Sequence, residues 1–291
     1  MRHGLLVVNA FLHSAKFDEL YNILLDSATA CGMELSLRTN EQLCAVVDSD
    51  AFDAEAFDFV LFWDKDVALA TQLEQRGLPV FNSADSILRC DDKALTYLTL
   101  KRVGLPMPRT LLAPKTFPAV GYPTTAFVDA AAETLGFPLV LKECFGSFGQ
   151  QVYLCRDVES LRAKVLSLAG TPMLFQQLVT ESWGRDVRIN VVGGRVVASI
   201  LRTSRDGDFR SNLTLGGTME NYTPTAAESA LALDAVQALG LTFAGVDVLF
   251  GRDGPLLCEV NSNAHFKTTL ACTGVNMAAE LFRHLADRLG A

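Results

Sequence analysis

Ala244-Gly245-Val246-Asp247-Val248-Leu249-Phe250-Gly251-Arg252-Asp253-Gly254-Pro255-Leu256-Leu257-Cys258-Glu259-Val260-Asn261 reads as a β-hairpin with acid on one face. Residues 251–255 hold the turn formers Gly, Asp and Pro. Glu259 and Asn261 stand two apart, which on a strand puts both side chains on the same face. A hairpin symmetric about Asp253 sets Asp247 opposite Glu259. Three oxygen donors then converge on one patch, and hard donors of this kind suit Mg²⁺, which reaches its site with nucleotide phosphates. Val246, Val248 and Phe250 alternate with Asp247 and Leu249, so the acids lie in an apolar stretch where isolated charge is costly. The competing reading is a hairpin that carries acids on its wet face.

Working outward, the first third of the chain alternates strand and helix signals. Leu5-Leu6-Val7-Val8 is a short apolar strand. Phe17, Leu20, Tyr21, Leu24, Ala28 and Cys31 recur at helical spacing, and Gly32 ends that helix. A strand follows over 33–37, then a continuous apolar run over 58–63, as expected of a strand covered on both faces. A helix over 66–76 and a strand over 78–82 complete the unit. The pattern predicts an α/β fold: a doubly wound parallel sheet over residues 1–89. No Gly-x-Gly-x-x-Gly follows the first strand, so the dinucleotide fingerprint is absent. Beyond the breaker at 104–108, strands are expected at 137–142, 152–155 and 173–179, with helices over 124–135 and 158–168. A second hairpin, 186–192 with 196–203, turns at Gly193-Gly194. Helices over 226–239 and 276–289 flank the acidic hairpin.

With 49% hydrophobic and 20% charged residues in 291, global disorder is excluded. A net charge of −8 argues against binding by phosphate neutralisation, so no nucleic-acid partner is expected. No apolar run is long enough to span a bilayer, so no membrane partner is expected. Asn9 and the residues after it interrupt the initial apolar stretch, which fits a strand better than a signal peptide. The seven cysteines are odd in number and lack a Cys-x-x-Cys pair, which indicates neither a disulfide framework nor a zinc site. Most are expected to be small buried hydrophobes in a reducing cytoplasm.

Lys142 ends a strand just before Gly146-Ser147-Phe148-Gly149. Small residues let backbone N–H groups approach phosphate oxygens, and a lysine adds charge beside them. An ordinary hairpin turn explains the loop equally well, and it is not a Walker motif. Gly207-Asp208-Phe209-Arg210-Ser211-Asn212 is either a solvent-facing turn or a place where Arg210 and Asn212 hold a phosphate and a metal-bridged oxygen. Asp186 and Arg188, two apart on one strand face, read as a cross-strand ion pair. His3, His13, His265 and His284 lack metal-ligand spacing. His265 is expected in packing or at the surface, with substrate contact as the alternative.

Taken in order, these motifs resemble the ATP-grasp superfamily and, within it, the RimK-type ligases, the group that contains the ribosomal-protein glutamate ligase. The resemblance runs from about Asp91 to the C-terminus. Its most specific parts are residues 207–213 with Gly216-Gly217, residues 244–249, and Glu259-Val260-Asn261. It implies an ATP-grasp fold over residues 90–291, with a small lobe at 106–177 and a large lobe at 178–291, preceded by a pre-ATP-grasp domain. It implies that Lys142 and Lys93 contact ATP phosphates beside Gly146, Ser147 and Gly149. The backbone of Gln177 and Leu178 would hold adenine, and Asp186 the ribose. Arg210, Ser211 and Asn212 would surround the terminal phosphates and acyl group, with Arg210 and Lys142 as the catalytic cations. Asp247, Glu259 and Asn261 would bind two Mg²⁺ ions, with Mn²⁺ as an alternative. The implied activity is ATP-dependent carboxylate–amine ligation on small-molecule or peptide substrates, with self-association as in many relatives. A small-molecule kinase and a non-catalytic nucleotide-binding module are the alternatives. Three departures stand out. Gln151 replaces a glycine, Gln177 replaces a glutamate, and residues 262–267 replace a Pro-Gly type turn on the acceptor side.

Overall fold

The computed structural model describes residues 1–12, 14–44, 47, 54–146, 149–205, 207–211 and 217–290. The N-terminal part contains β1 (Arg2–Val8), α1 (Ala15–Ala30), β2 (Met33–Thr39), β3 (Phe59–Trp63), α2 (Val67–Gln75), β4 (Val80–Phe81), α3 (Ala84–Asp91) and α4 (Lys93–Arg102). Its four strands form a parallel sheet in the order β2-β1-β3-β4. The continuous apolar runs have the reason expected of them. Leu5, Val7, Val60 and Phe62 bury against α2 and α3, while Leu6, Val8, Phe59 and Leu61 bury on the other face.

A second, four-stranded sheet contains β5 (Thr110–Leu112), β6 (Leu139–Glu143), β7 (Val152–Cys155) and β8 (Met173–Gln177), ordered β5-β8-β6-β7. Helices α5 (Ala126–Leu135) and α6 (Val158–Ser167) cover one face, where Val128, Leu139, Leu141, Leu161, Val165 and Phe175 make a core of their own. The third sheet is five-stranded and antiparallel: β9 (Arg185–Val192), β10 (Arg195–Thr203), β11 (Thr218–Asn221), β12 (Phe243–Gly251) and β13 (Gly254–Asn261), ordered β11-β10-β9-β12-β13. Its core lies under α7 (Ala226–Leu239), whose start is fixed by a capping box between Thr225 and Glu228.

After α8 (Lys267–Thr273), α9 (Met277–Leu289) returns to the first sheet. Met277, Leu281, Phe282 and Leu285 join α1, β1 and β3 in one core with Val192, Phe243 and Phe266. Asn82 ties the same regions together. Its Nδ2 donates to the carbonyls of Phe243 (2.9 Å) and Ser262 (2.7 Å), and its Oδ1 accepts from Thr242 N (2.7 Å) and Phe243 N (3.2 Å).

Two expectations need correction here. The acidic hairpin is not symmetric about Asp253. It turns on Arg252-Asp253, with Gly251 opposite Gly254, and a bulge at Cys258 then shifts the register so that Asp247 does face Glu259. The cysteines are also less buried than expected: Cys90, Cys144 and Cys155 are buried, Cys31, Cys258 and Cys272 are half-buried, and Cys44 is exposed.

Candidate active site

The five-stranded sheet has two unlike faces. Val187, Ile189, Val191, Val246, Val248 and Leu257 point into the core under α7. Strand alternation then puts Asp186, Arg188, Asn190, Gly245 and Asp247 on the opposite face. The ladder sets Arg202 against Asp186, Arg188 against Asp247, and Asp247 against Glu259, while Gly245 lies between Asn190 and Asn261. A polar stripe thus crosses β10, β9, β12 and β13.

The stripe is tightly paired. Arg202 donates through Nε to Asp186 Oδ1 (2.7 Å) and through Nη2 to Oδ2 (2.6 Å). The same Nη2 lies 2.9 Å from Asp247 Oδ2. Arg188 grips Asp247 from the other side, with Nη2 donating to Oδ2 (2.8 Å) and Nε to Oδ1. Asp186 and Arg188 do not pair with each other, and both form cross-strand ion pairs, as expected. Each is matched across the sheet, to Arg202 and to Asp247. Asp247 is only 4% exposed. Burial pulls its pKa up, but Arg188 and Arg202 outweigh burial and hold it below the usual carboxylate range. Burial opposes the charge on Arg202, and Asp186 and Asp247 more than restore it.

Two lysines reach the stripe from elsewhere. Lys93, the first residue of α4, places Nζ 3.4 Å from Glu259 Oε1 and donates to Gly146 O (3.3 Å). Lys142, one residue before the end of β6, lies on the face away from its own core. It is 7% exposed, with Nζ 3.8 Å from Cys258 Sγ. Burial works against its ammonium, but Cys258, Tyr97 and Glu259 together raise its pKa. Burial also pushes the Cys258 thiol up to about 11, although Lys142 pulls the other way, so it stays protonated at neutral pH. Tyr97 donates to the Cys258 carbonyl (2.6 Å), steadying the bulge. Four cations (Lys93, Lys142, Arg188, Arg202) thus face three carboxylates (Asp186, Asp247, Glu259). The surplus of positive charge suits a polyphosphate.

Arg210 lies at the edge of this assembly. Among the described residues four of its five N–H donors are engaged, two on Asp208 and two on the carbonyls of Gly149 and Val152, with one on Nη2 remaining. Ser211 is buried beside it. Ser147 and Asn212 lie outside the described residues. A cavity of about 810 Å³ opens beside the stripe rather than over it. Gln177 and Leu178 line it with Pro106, Ala230, Arg252 and Leu256, and none of the stripe's charged side chains does.

The donor set fits a hard divalent ion. Asp247, Glu259 and Asn261 share one face and offer carboxylate and amide oxygens. Among the described residues Asn261 Nδ2 is buried without a hydrogen-bond partner, a donor that calls for an acceptor such as a phosphate oxygen. Sequence reasoning missed Arg202 and Tyr97. Counting registers from the Gly193-Gly194 turn, with one bulged residue, places Arg202 against Asp186. No sequence signal marks Tyr97.

Comparison with known proteins agrees with the fold. The model of the RimK-like ATP-grasp domain matches residues 90–285. A Mycoplasma pneumoniae protein, the MG012 homolog, is 34% identical over 98% of this chain and 100% of its own length. Human N-acetylaspartylglutamate synthase A is 37% identical over 70% of this chain, and the match spans 51% of that synthase. The crystal structure of the RimK domain protein from Sphaerobacter thermophilus superposes with a TM-score of 0.75 at 25% identity, covering 98% of this chain and 99% of that one. The fold and the relatives named as synthases and ligases put the chain among the ATP-grasp ligases. The chain belongs to the RimK-like ATP-grasp family. Among the described residues no helix is long and apolar enough to cross a membrane.

Proposed function

We propose that this chain joins a carboxylate to an amine through an acyl phosphate, in the cytoplasm. The observation that carries the reading is the polar stripe of Asp186, Arg188, Arg202, Asp247, Glu259 and Asn261, met from the other side by Lys142 and Lys93. The substrate carboxylate attacks the γ-phosphorus of ATP, forming an O–P bond and releasing ADP. The amine nitrogen then attacks the acyl carbon, the C–O bond to phosphate breaks, and the amine gives up a proton as the amide forms. Lys142 and Lys93 hold phosphate oxygens in a site closed from water. Arg188 and Arg202 orient the Asp247 carboxylate, and Asp186 meets the ribose. Gln177 and Leu178 present backbone groups to adenine. Asp247, Glu259 and Asn261 would hold Mg²⁺, which when bound offsets the charge that develops on phosphoryl transfer. Human N-acetylaspartylglutamate synthase A and β-citrylglutamate synthase B carry glutamate in their names, which supports an amino acid as the amine substrate.

The test is ADP release with MgATP across a panel of carboxylates, amines and peptides, with the product identified by mass spectrometry. ADP release that needs both partners, and a product one amide bond heavier, is expected. Asp247→Ala and Glu259→Ala should each abolish turnover while the chain stays folded. Full activity in either variant rejects the metal assignment, and a stable phosphorylated product without an amide favours a kinase.

A further inference from the structure

Asp208 has no role in the mechanism above, yet its carboxylate is committed to one side chain. It accepts from Arg210 Nε (3.1 Å), Nη2 (2.8 Å) and backbone N (2.8 Å). The far edge of that guanidinium crosses to the four-stranded sheet, where Nη1 donates to Gly149 O (2.8 Å) and Val152 O (3.4 Å). Gly149 precedes β7 and Val152 begins it. Nearby, Glu143 N donates to Gln151 O (3.0 Å), closing the β6–β7 hairpin. One planar cation therefore ties this hairpin to the lobe that carries the acidic stripe.

The segment bearing Asp208 is itself pinned to the corner that opens β9. Trp183 Nε1 donates to Gly207 O (3.0 Å), Gly184 N to Phe209 O (3.0 Å), and Ser204 N to Gly184 O (2.7 Å). The Trp183 and Phe209 rings lie 6.2 Å apart. Gly184 has φ +68°, and a Cβ there would stand 2.9 Å from the Asp208 carbonyl oxygen, so this approach needs a glycine. The Arg210 hydrogen bond holds the Asp208 carboxyl below its ordinary range, and Asp208 in turn raises Arg210.

We propose that Asp208 is a positioning residue. It holds the Arg210 guanidinium edge-on, so that Arg210 straps the β6–β7 hairpin across the cleft and keeps one N–H for a ligand oxygen. The proposal rests on the ligase reading only for what enters the cleft; the strap is a property of the chain itself.

Backbone amide exchange over 149–155, with and without MgATP, in Asp208→Ala, Asp208→Asn, Arg210→Ala and the Asp208→Ala/Arg210→Ala double variant tests it. Asp208→Ala is expected to speed exchange there about as much as Arg210→Ala, on the order of tenfold, with β9 and β12 unchanged. The double variant should be no faster than Arg210→Ala alone, because both act on one contact. Turnover should fall roughly 10- to 100-fold in kcat, with KM for the amine unchanged within about twofold. Asp208→Asn, which keeps the shape and loses the charge, should fall between. Unchanged exchange in Asp208→Ala, or multiplying effects in the double variant, overturns the strap. An unmodified chain that forms no ADP with any substrate pair defeats the ligase reading and leaves exchange to judge the strap.

Discussion

His265 shows how one ring becomes committed by its surroundings. Its Nε2–H donates to the Lys16 carbonyl (3.2 Å), so in the neutral ring Nδ1 keeps its lone pair, and among the described residues that nitrogen is buried without a partner. Burial lowers its pKa to about 4, and Lys16 and Arg188 contribute in the same direction although the hydrogen bond to Lys16 opposes them. The unfolded chain takes up this proton near the ordinary value of 6.5, and the folded chain only near 4. Stability from the neutral ring is therefore complete above 6.5 and is lost as pH falls through that window. After allowance for partial exposure, the loss is about 1–2 kcal/mol. Urea unfolding at about pH 7.5 and about pH 5 should show it, and His265→Gln should shrink the difference by that amount. An equal pH dependence in both proteins would refute the assignment.

Gly245, on β12, is small because two neighbours need its space. A Cβ there would stand 2.6 Å from Ala264 Cβ and 3.1 Å from Arg188 Cδ. Gly245→Ala is expected to push the 262–266 segment off the sheet and tilt Arg188 away from Asp247. The melting temperature should drop by roughly 2–8 °C, and a melt matching the parent's would show that the segment yields freely. The two long hairpins share one design: a two-residue turn, then a single bulged residue, Val197 in β10 and Cys258 in β13. This is why the Asp247–Glu259 pairing was legible in the sequence although its axis was not. Alternation reveals which residues share a face, but a bulge adds a residue without a sequence mark. Arg202 stayed hidden for the same reason. The N-terminal sheet was readable because its strands, covered on both faces, leave uninterrupted apolar runs. Strands β5 and β11 are too short and too exposed to alternate, and α8 has Phe266 at its N-cap position, which gives no side-chain cap.

The N-terminal sheet and the five-stranded sheet share a core and buried hydrogen bonds. Asn82 is 1% exposed, and all its hydrogen bonds run between the N-terminal sheet and the five-stranded lobe. Asn82→Ala strips buried backbone groups at Thr242, Phe243 and Ser262 of their partner. It should cost about 2–4 kcal/mol in urea unfolding; a loss under about 0.5 kcal/mol would mean that water replaces the amide fully. The four-stranded sheet is held differently, because its core is its own. One of its footholds in the rest of the molecule is Lys142, rooted in β6 but submerged against Cys258. Parting the lobes would separate that ammonium from the Cys258 sulfur and from the Glu259 carboxylate that favours its charge, so the lysine acts as a latch between the two sheets.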